Sequence, residues 1–157
     1  MNAGSMTFTA RVLSVTALLA ATSLLDAQQQ TLNILPGAAE IDGFAGAHFS
    51  STLNLSNPTG SPATLTIGLI PQPGKPAPAP VNRSLLPGES QQIPTVLTAL
   101  FGLTADAGAL TITGDAAVIA TLSTLNVADP LGTYGVAFAP VPESGLLVAG
   151  QSAMPSG

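Results

Sequence analysis

The sequence predicts an all-β protein: an immunoglobulin-like β-sandwich of about seven strands with one short crossover helix, preceded by a signal peptide helix. Three observations predict it. The chain is 46% hydrophobic but only 7% charged, against about 25% charged in an average globular domain. Its polar residues are largely Thr, Ser and Gly, and its 16 Gly and 14 Pro suit strands and turns rather than long surface helices. Apolar residues recur at every second position in short runs bounded by turn residues. At 157 residues there is room for one domain of ordinary size.

The elements follow in order. Arg11 precedes an apolar run, Val12 to Leu25, that ends in Asp26-Ala27. A basic residue, a dozen apolar residues and a small residue at the polar end form a cleavable export signal, too short for a span of about 20 residues. Cleavage is placed after Ala27, so that 1–27 is signal, 28–140 the β-domain and 141–157 a tail or linker. In the domain, 32–35 is a short first strand ended by Pro36-Gly37. Residues 48–56 put Phe49, Ser51, Leu53 and Leu55 on one face, and 63–70 put Leu65, Ile67 and Leu69 on one face. Across Asn57-Pro58-Thr59-Gly60-Ser61-Pro62 these two runs read as an antiparallel hairpin.

Residues 71–80 hold five prolines and read as an exposed extended loop. A strand at 81–86, a turn at Pro87-Gly88-Glu89-Ser90 and a short strand at 91–93 follow. Leu97, Leu100 and Phe101 stand at i, i+3 and i+4 between Pro94 and Gly102, the expected punctuation of a short helix. It is predicted to plug one end of the core. Strands at 109–113, 116–126 and 133–138 complete the set, the middle one apolar on both parities.

Charge and cysteine content exclude several functions. Three basic residues, Arg11, Lys75 and Arg83, stand against eight acidic ones, and there is no cysteine. No Lys/Arg cluster exists to displace counterions from nucleic acid or to hold anionic lipid. Disulfides, thiolate chemistry, cysteine metal sites and a lipoprotein anchor are all ruled out. No stable membrane anchor is expected after cleavage. No cofactor is expected either.

Candidate chemistry is sparse. His48 is the only histidine, so a Ser-His-Asp triad must use it, but no G-x-S-x-G elbow is present and alternation puts it on the wet face of a strand. Glu40 and Asp42 point the same way on an extended segment and are weak calcium candidates, although no D-x-D-x-D-G loop surrounds them. Asp106, Asp115 and Asp129 sit in turn contexts that suit Asx-type capping. A glycosidase needs only two suitably spaced carboxylates, but also an aromatic-lined cleft. Gly74-Lys75-Pro76 lacks the glycines of a phosphate loop. Asn54-Leu55-Ser56 and Asn82-Arg83-Ser84 match the glycosylation sequon.

The order Phe49-Ser50-Ser51-Thr52-Leu53-Asn54-Leu55-Ser56-Asn57-Pro58, Ala63-Thr64-Leu65-Thr66-Ile67, Leu86-Pro87-Gly88-Glu89-Ser90, Leu100-Phe101-Gly102, Gly108-Ala109-Leu110-Thr111-Ile112 and Gly132-Thr133-Tyr134-Gly135 resembles uncharacterised Ig-like β-sandwich modules of secreted multidomain bacterial proteins. The resemblance covers about residues 32–140 and brings no catalytic residues. It implies a bacterial source and one unit of a tandem, with the sequons then chance matches.

The resulting expectation is a secreted or periplasmic, non-enzymatic module with a structural or protein-interaction role and an unknown protein or cell-surface partner. A carbohydrate-binding module is the first alternative and calls for exposed aromatics, with Phe44, Phe49 and Tyr134 the contributors. A small secreted hydrolase using His48 or the Glu40/Asp42 pair is the second. Strand-edge self-association is a further option in a chain with so few charges.

Overall fold

The computed structural model describes residues 31–114, 118–129 and 134–146. The expected signal segment, Asp115 and most of the turn after Asp129 lie outside them. The described chain is all-β with one short helix. Its strands are β1 (Thr31–Asp42), β2 (His48–Ser56), β3 (Ala63–Pro71), β4 (Val81–Leu85), β5 (Ser90–Ile93), β6 (Asp106–Gly114), β7 (Ile119–Asn126), β8 (Tyr134–Phe138) and β9 (Val141–Pro142). The helix, α1, spans Val96–Phe101. Hydrogen bonding runs in the order β4-β3-β6-β1-β2-β7-β8, with β5 added to β2 and β9 to β1.

Period-2 alternation places the core as expected. Leu53 and Leu55 of β2, Leu65, Ile67 and Leu69 of β3, Leu110 and Ile112 of β6, and Ala120 and Leu122 of β7 are all buried in one cluster. Burial of each large aliphatic side chain contributes about 1.5–3 kcal/mol. Residues from both ends of the strand order meet in this cluster, so the sheet folds back on itself about β1. Val96 and Leu97 of α1 are buried in the same core, with Leu100 and Phe101 packed on its margin. The helix ends where Gly102 turns left-handed (φ 70°) and donates its N–H to the Leu97 and Thr98 carbonyls, the usual reason for glycine there.

Three expectations are corrected. First, β2 and β3 do not form a hairpin: β3 pairs with β4 and β6, and β2 with β1, β5 and β7. Alternation shows which face is apolar but not which strand lies alongside. The connection is a loop organised on the fully buried Asn57, whose amide donates to the carbonyls of Ser61 (2.8 Å), Leu86 (3.1 Å) and Leu85 (3.3 Å). Asn57 also accepts from Thr59 N–H (3.1 Å) and Thr59 Oγ1 (2.7 Å), which closes the Asx turn. One side chain thus fastens the β2–β3 loop to the end of β4.

Second, β1 does not stop at Pro36-Gly37. It carries on to Asp42 through an irregularity between Leu35 and Ala38 in its pairing with β6. Gly37 takes φ +80° there, with the Phe138 ring lying over it. The backbone groups freed by this bulge are met from within. Ala39 N–H donates to Ser51 Oγ (2.7 Å), the Ser51 hydroxyl bonds Thr124 Oγ1 (2.6 Å), and Thr124 Oγ1 donates to the Gly37 carbonyl (2.6 Å). Buried polar backbone needs such partners. Third, residue 141 does not begin a free tail, because Val141–Pro142 pairs with Asn33 and Ile34 of β1. The both-parity apolar run at β7 is covered on its second face in part: Ala120, Leu122, Thr124 and Asn126 are buried, while Ser123 and Leu125 are half-buried and Ile119 and Thr121 exposed. The extension of β1 decides where the candidate acids stand.

Candidate functional site

Because β1 stays extended to Asp42, Glu40 and Asp42 project to one side, as residues two apart in a strand must. Antiparallel pairing with β2 sets Asp42 opposite His48 and Glu40 opposite Ser50. The two carboxylates therefore meet the single imidazole. Asp42 Oδ1 lies 2.8 Å from His48 Nδ1, and Glu40 Oε1 lies 3.1 Å from His48 Nε2. The Ser50 hydroxyl donates to the second Glu40 oxygen at 3.0 Å. Glu40 is buried, Asp42 is exposed and the His48 side chain is 35% exposed. The spacing predicts that the two acids point one way and that His48 lies on the wet face of a strand; the pairing of β1 with β2 joins all three in one tie.

An imidazole facing an acceptor through each nitrogen donates through both only as the imidazolium. The hydrogen bond that Asp42 accepts, then the one that Glu40 accepts, accordingly raises the His48 pKa above its usual value, with partial desolvation opposing them. The backbone joins the same tie. His48 N–H donates to Asn126 Oδ1 (3.0 Å), and Val127 N–H donates to the His48 carbonyl (2.9 Å).

A second ion pair lies one strand away. Asp106, opposite Glu40 across β6 and β1, is buried and holds Lys75 Nζ at 3.0 Å. It was expected in a turn; it is in fact the first residue of β6, and its carboxylate also accepts from Ala107 N–H. The Lys75 ammonium, with help from that N–H, holds the Asp106 carboxyl below the usual range against the opposing effect of burial. Lys75 also donates to the Ala105 carbonyl (3.2 Å), so the proline-rich loop is pinned at its centre. No sequence signal links residues 31 positions apart, and this contact was not foreseen.

These geometries limit the chemistry. Ser50 donates to Glu40 rather than to His48, and both imidazole nitrogens face carboxylates, so the imidazole offers no nitrogen to a hydroxyl nucleophile. Both Glu40 oxygens and Asp42 Oδ1 are turned toward His48 and Ser50. Among the described residues, no group of three or more His, Asp or Glu side chains is arranged to hold a metal ion.

The aromatic candidates divide. Phe44 sits in a single 3-10 turn, Phe44–Gly46, and is 97% exposed. Tyr134, at the start of β8, is 55% exposed. Both line one surface depression of about 350 Å³, together with Asn126, Asp129 and the backbone of the Phe44–Gly46 turn. Phe49 is half-buried on β2 and packs against Gly43, and it is not among the described residues that line this depression. A second depression, of about 250 Å³, lies between β5 and β7, with Gln91, Gln92 and Ile119 in its walls.

Fold and site together define an all-β module whose ionisable side chains are used mainly to tie strands and loops. No family model matches the chain, and a comparison with curated proteins finds no match. Among solved structures it is similar to the crystal structure of Thermotoga maritima 1070, at a TM-score of 0.55 and 17% identity, over 71% of this chain and 92% of that one. At that identity the likeness concerns the fold alone. Among the described residues no helix is long and apolar enough to cross a membrane.

Proposed function

We propose that this chain is an exported, non-enzymatic β-sandwich module of immunoglobulin-like type that serves a structural or interaction role. The observation that carries the reading is the His48 tie: the one imidazole of the chain is held between Asp42 and Glu40. A general base needs an accessible lone pair aimed at a substrate proton, and this ring directs both nitrogens at carboxylates. The strand order supports the architecture. In an immunoglobulin sandwich, strands B, E and D form one sheet and C, F and G the other. Here β1, β6 and β3 pair in the first pattern and β2, β7 and β8 in the second. The departures are β4 and β5, inserted between the D and E equivalents, the bonding of β1 to β2 at 40–42, and β9 beside β1 with no A equivalent among the described residues. Export is supported by the apolar run that follows Arg11.

Two measurements test the reading. Expression of the whole chain in a bacterial host, followed by fractionation and intact-mass analysis, is expected to give an extracytoplasmic product beginning at Gln28. Product retained in the cytoplasm with the leader attached overturns export. Purified protein and His48→Ala are expected to give the same background on chromogenic ester and glycoside substrates. Turnover that disappears in the variant overturns the non-enzymatic reading.

A further inference from the structure

We infer that the depression between Phe44 and Tyr134 is a binding site for a neutral saccharide, with Phe44 as the stacking platform. The inference deepens the interaction reading and rests on it only in assigning the site no bond-breaking chemistry.

Exposure comes first. Phe44, 97% exposed, and Tyr134, 55% exposed, present two aromatic rings to water at one depression, and it is grouped rather than single exposed apolar surface that marks a contact site. The Phe44 ring is held out by its backbone. Ala45 adopts φ 57° and Gly46 φ 82°, two successive left-handed residues, and the first has a Cβ that makes this conformation costly. Gly43 N–H donates to the Ala47 carbonyl at 2.7 Å and closes the turn. Behind it, His48 N–H and Ala128 N–H both donate to the buried Asn126 Oδ1, which fixes the turn to the end of β7. The backbone that carries the ring is thus set before any ligand arrives.

Chemistry selects the ligand class. At about 350 Å³ the depression lies at the lower end of the roughly 300–1,000 Å³ span of ligand sites. It suits a sugar ring of a longer chain that runs past an open rim. Sugar rings present apolar C–H faces and hydroxyl edges that both donate and accept. The lining matches this with the Phe44 face, the Tyr134 ring and hydroxyl, and the exposed peptide groups of the Phe44–Gly46 turn. Among the described residues no Lys or Arg lines the site, and the chain carries a net charge of −5, which disfavours phosphorylated, sulfated or uronic sugars. The same charge balance disfavours anionic membrane as the occupant of the Phe44 tip.

The chain holds one Tyr and no Trp, so its intrinsic tyrosine emission reports from Tyr134 within the site. Purified protein is titrated with cellohexaose, chitohexaose and laminarihexaose while that emission is followed, and affinities are confirmed by calorimetry. Saturable binding of at least one of them is expected, weakened about tenfold or more in Phe44→Ala. Ile119→Ala, which removes an exposed apolar side chain outside the site, is expected to bind as the unaltered protein does. Phe44 packs on nothing in the core, so the thermal melt of Phe44→Ala should match that of the parent. Three outcomes overturn the inference: no saturation with any of these sugars at millimolar concentration, binding that survives Phe44→Ala, or Phe44-dependent capture on phosphatidylcholine vesicles without saccharide binding. None of these touches the non-enzymatic reading, which falls only to His48-dependent turnover.

Discussion

Removing the Asn57 side chain is expected to cost more than any exposed polar substitution in this protein, and the structure sets the size. Asn57→Ala deprives three carbonyls, those of Ser61, Leu85 and Leu86, of their shared donor, and deprives Thr59 of its acceptor. The bond to Leu85 is buried, whereas those to Ser61, Leu86 and Thr59 lie where water can reach. An orphaned buried acceptor costs about 1–3 kcal/mol, and a bond that water can replace about 0.5–1.5 kcal/mol. Adding the two gives roughly 1.5–4.5 kcal/mol out of the about 5–15 kcal/mol that holds a typical domain together. At ~4 °C per kcal/mol for a domain of this size, Tm should fall by ~6–18 °C. Asn57→Asp is the sharper variant. It keeps the acceptor oxygen for Thr59 but sets an anionic oxygen against three carbonyls, so at neutral pH it should lose more than Asn57→Ala. Urea denaturation followed by far-UV circular dichroism provides both numbers. An Asn57→Asp protein within about 0.5 kcal/mol of the parent, the usual span of a neutral surface change, would refute the reasoning.

Two further outcomes are expected. The His48 tie makes stability fall as pH rises: a folded-state pKa raised above the unfolded value near 6.5 means the stabilisation is complete below that value and is lost as pH climbs through the folded pKa. Melting temperatures from pH 5.5 to 8.5 should therefore decline more steeply in the parent than in His48→Gln, and parallel slopes would remove the imidazolium from the account. Gly37→Ala should destabilise by about 2 kcal/mol or more. The new Cβ would need φ +80° and would fall on the Phe138 ring, so an unshifted calorimetric Tm would show the bulge to be looser than described.

The tie at His48 and the pin at Lys75 share a design. Each brings a charged or polar side chain from a loop or strand end to a buried carboxylate, Glu40 or Asp106, and these two stand opposite each other across β1 and β6. Removing Lys75 would leave the Asp106 charge buried without its partner, and such a loss costs more than the pair itself contributes. The proline-rich loop is therefore anchored at its midpoint, while most of the other residues of 72–80 remain exposed.

What the sequence determined by itself was local. The pleat turns successive side chains to opposite faces, so alternation alone assigned Leu53, Leu55, Leu65, Ile67, Leu110 and Ile112 to the core, and all are buried. Pro94 and Gly102 likewise bracketed the helix. The two-residue spacing of Glu40 and Asp42 correctly put them on one side. Tertiary structure alone decided which strands lie together, and every functional feature depends on that choice. Extending β1 past Pro36-Gly37 turned a supposed loop into a strand and set Asp42 against His48. The folding of β8 beside β7 placed Tyr134 opposite Asn126 and so on the same depression as Phe44. The physical reason is separation along the chain. Side-chain direction is a property of one residue's backbone, whereas Lys75 with Asp106, or Phe44 with Tyr134, meet only after the long-range pairings between them have formed.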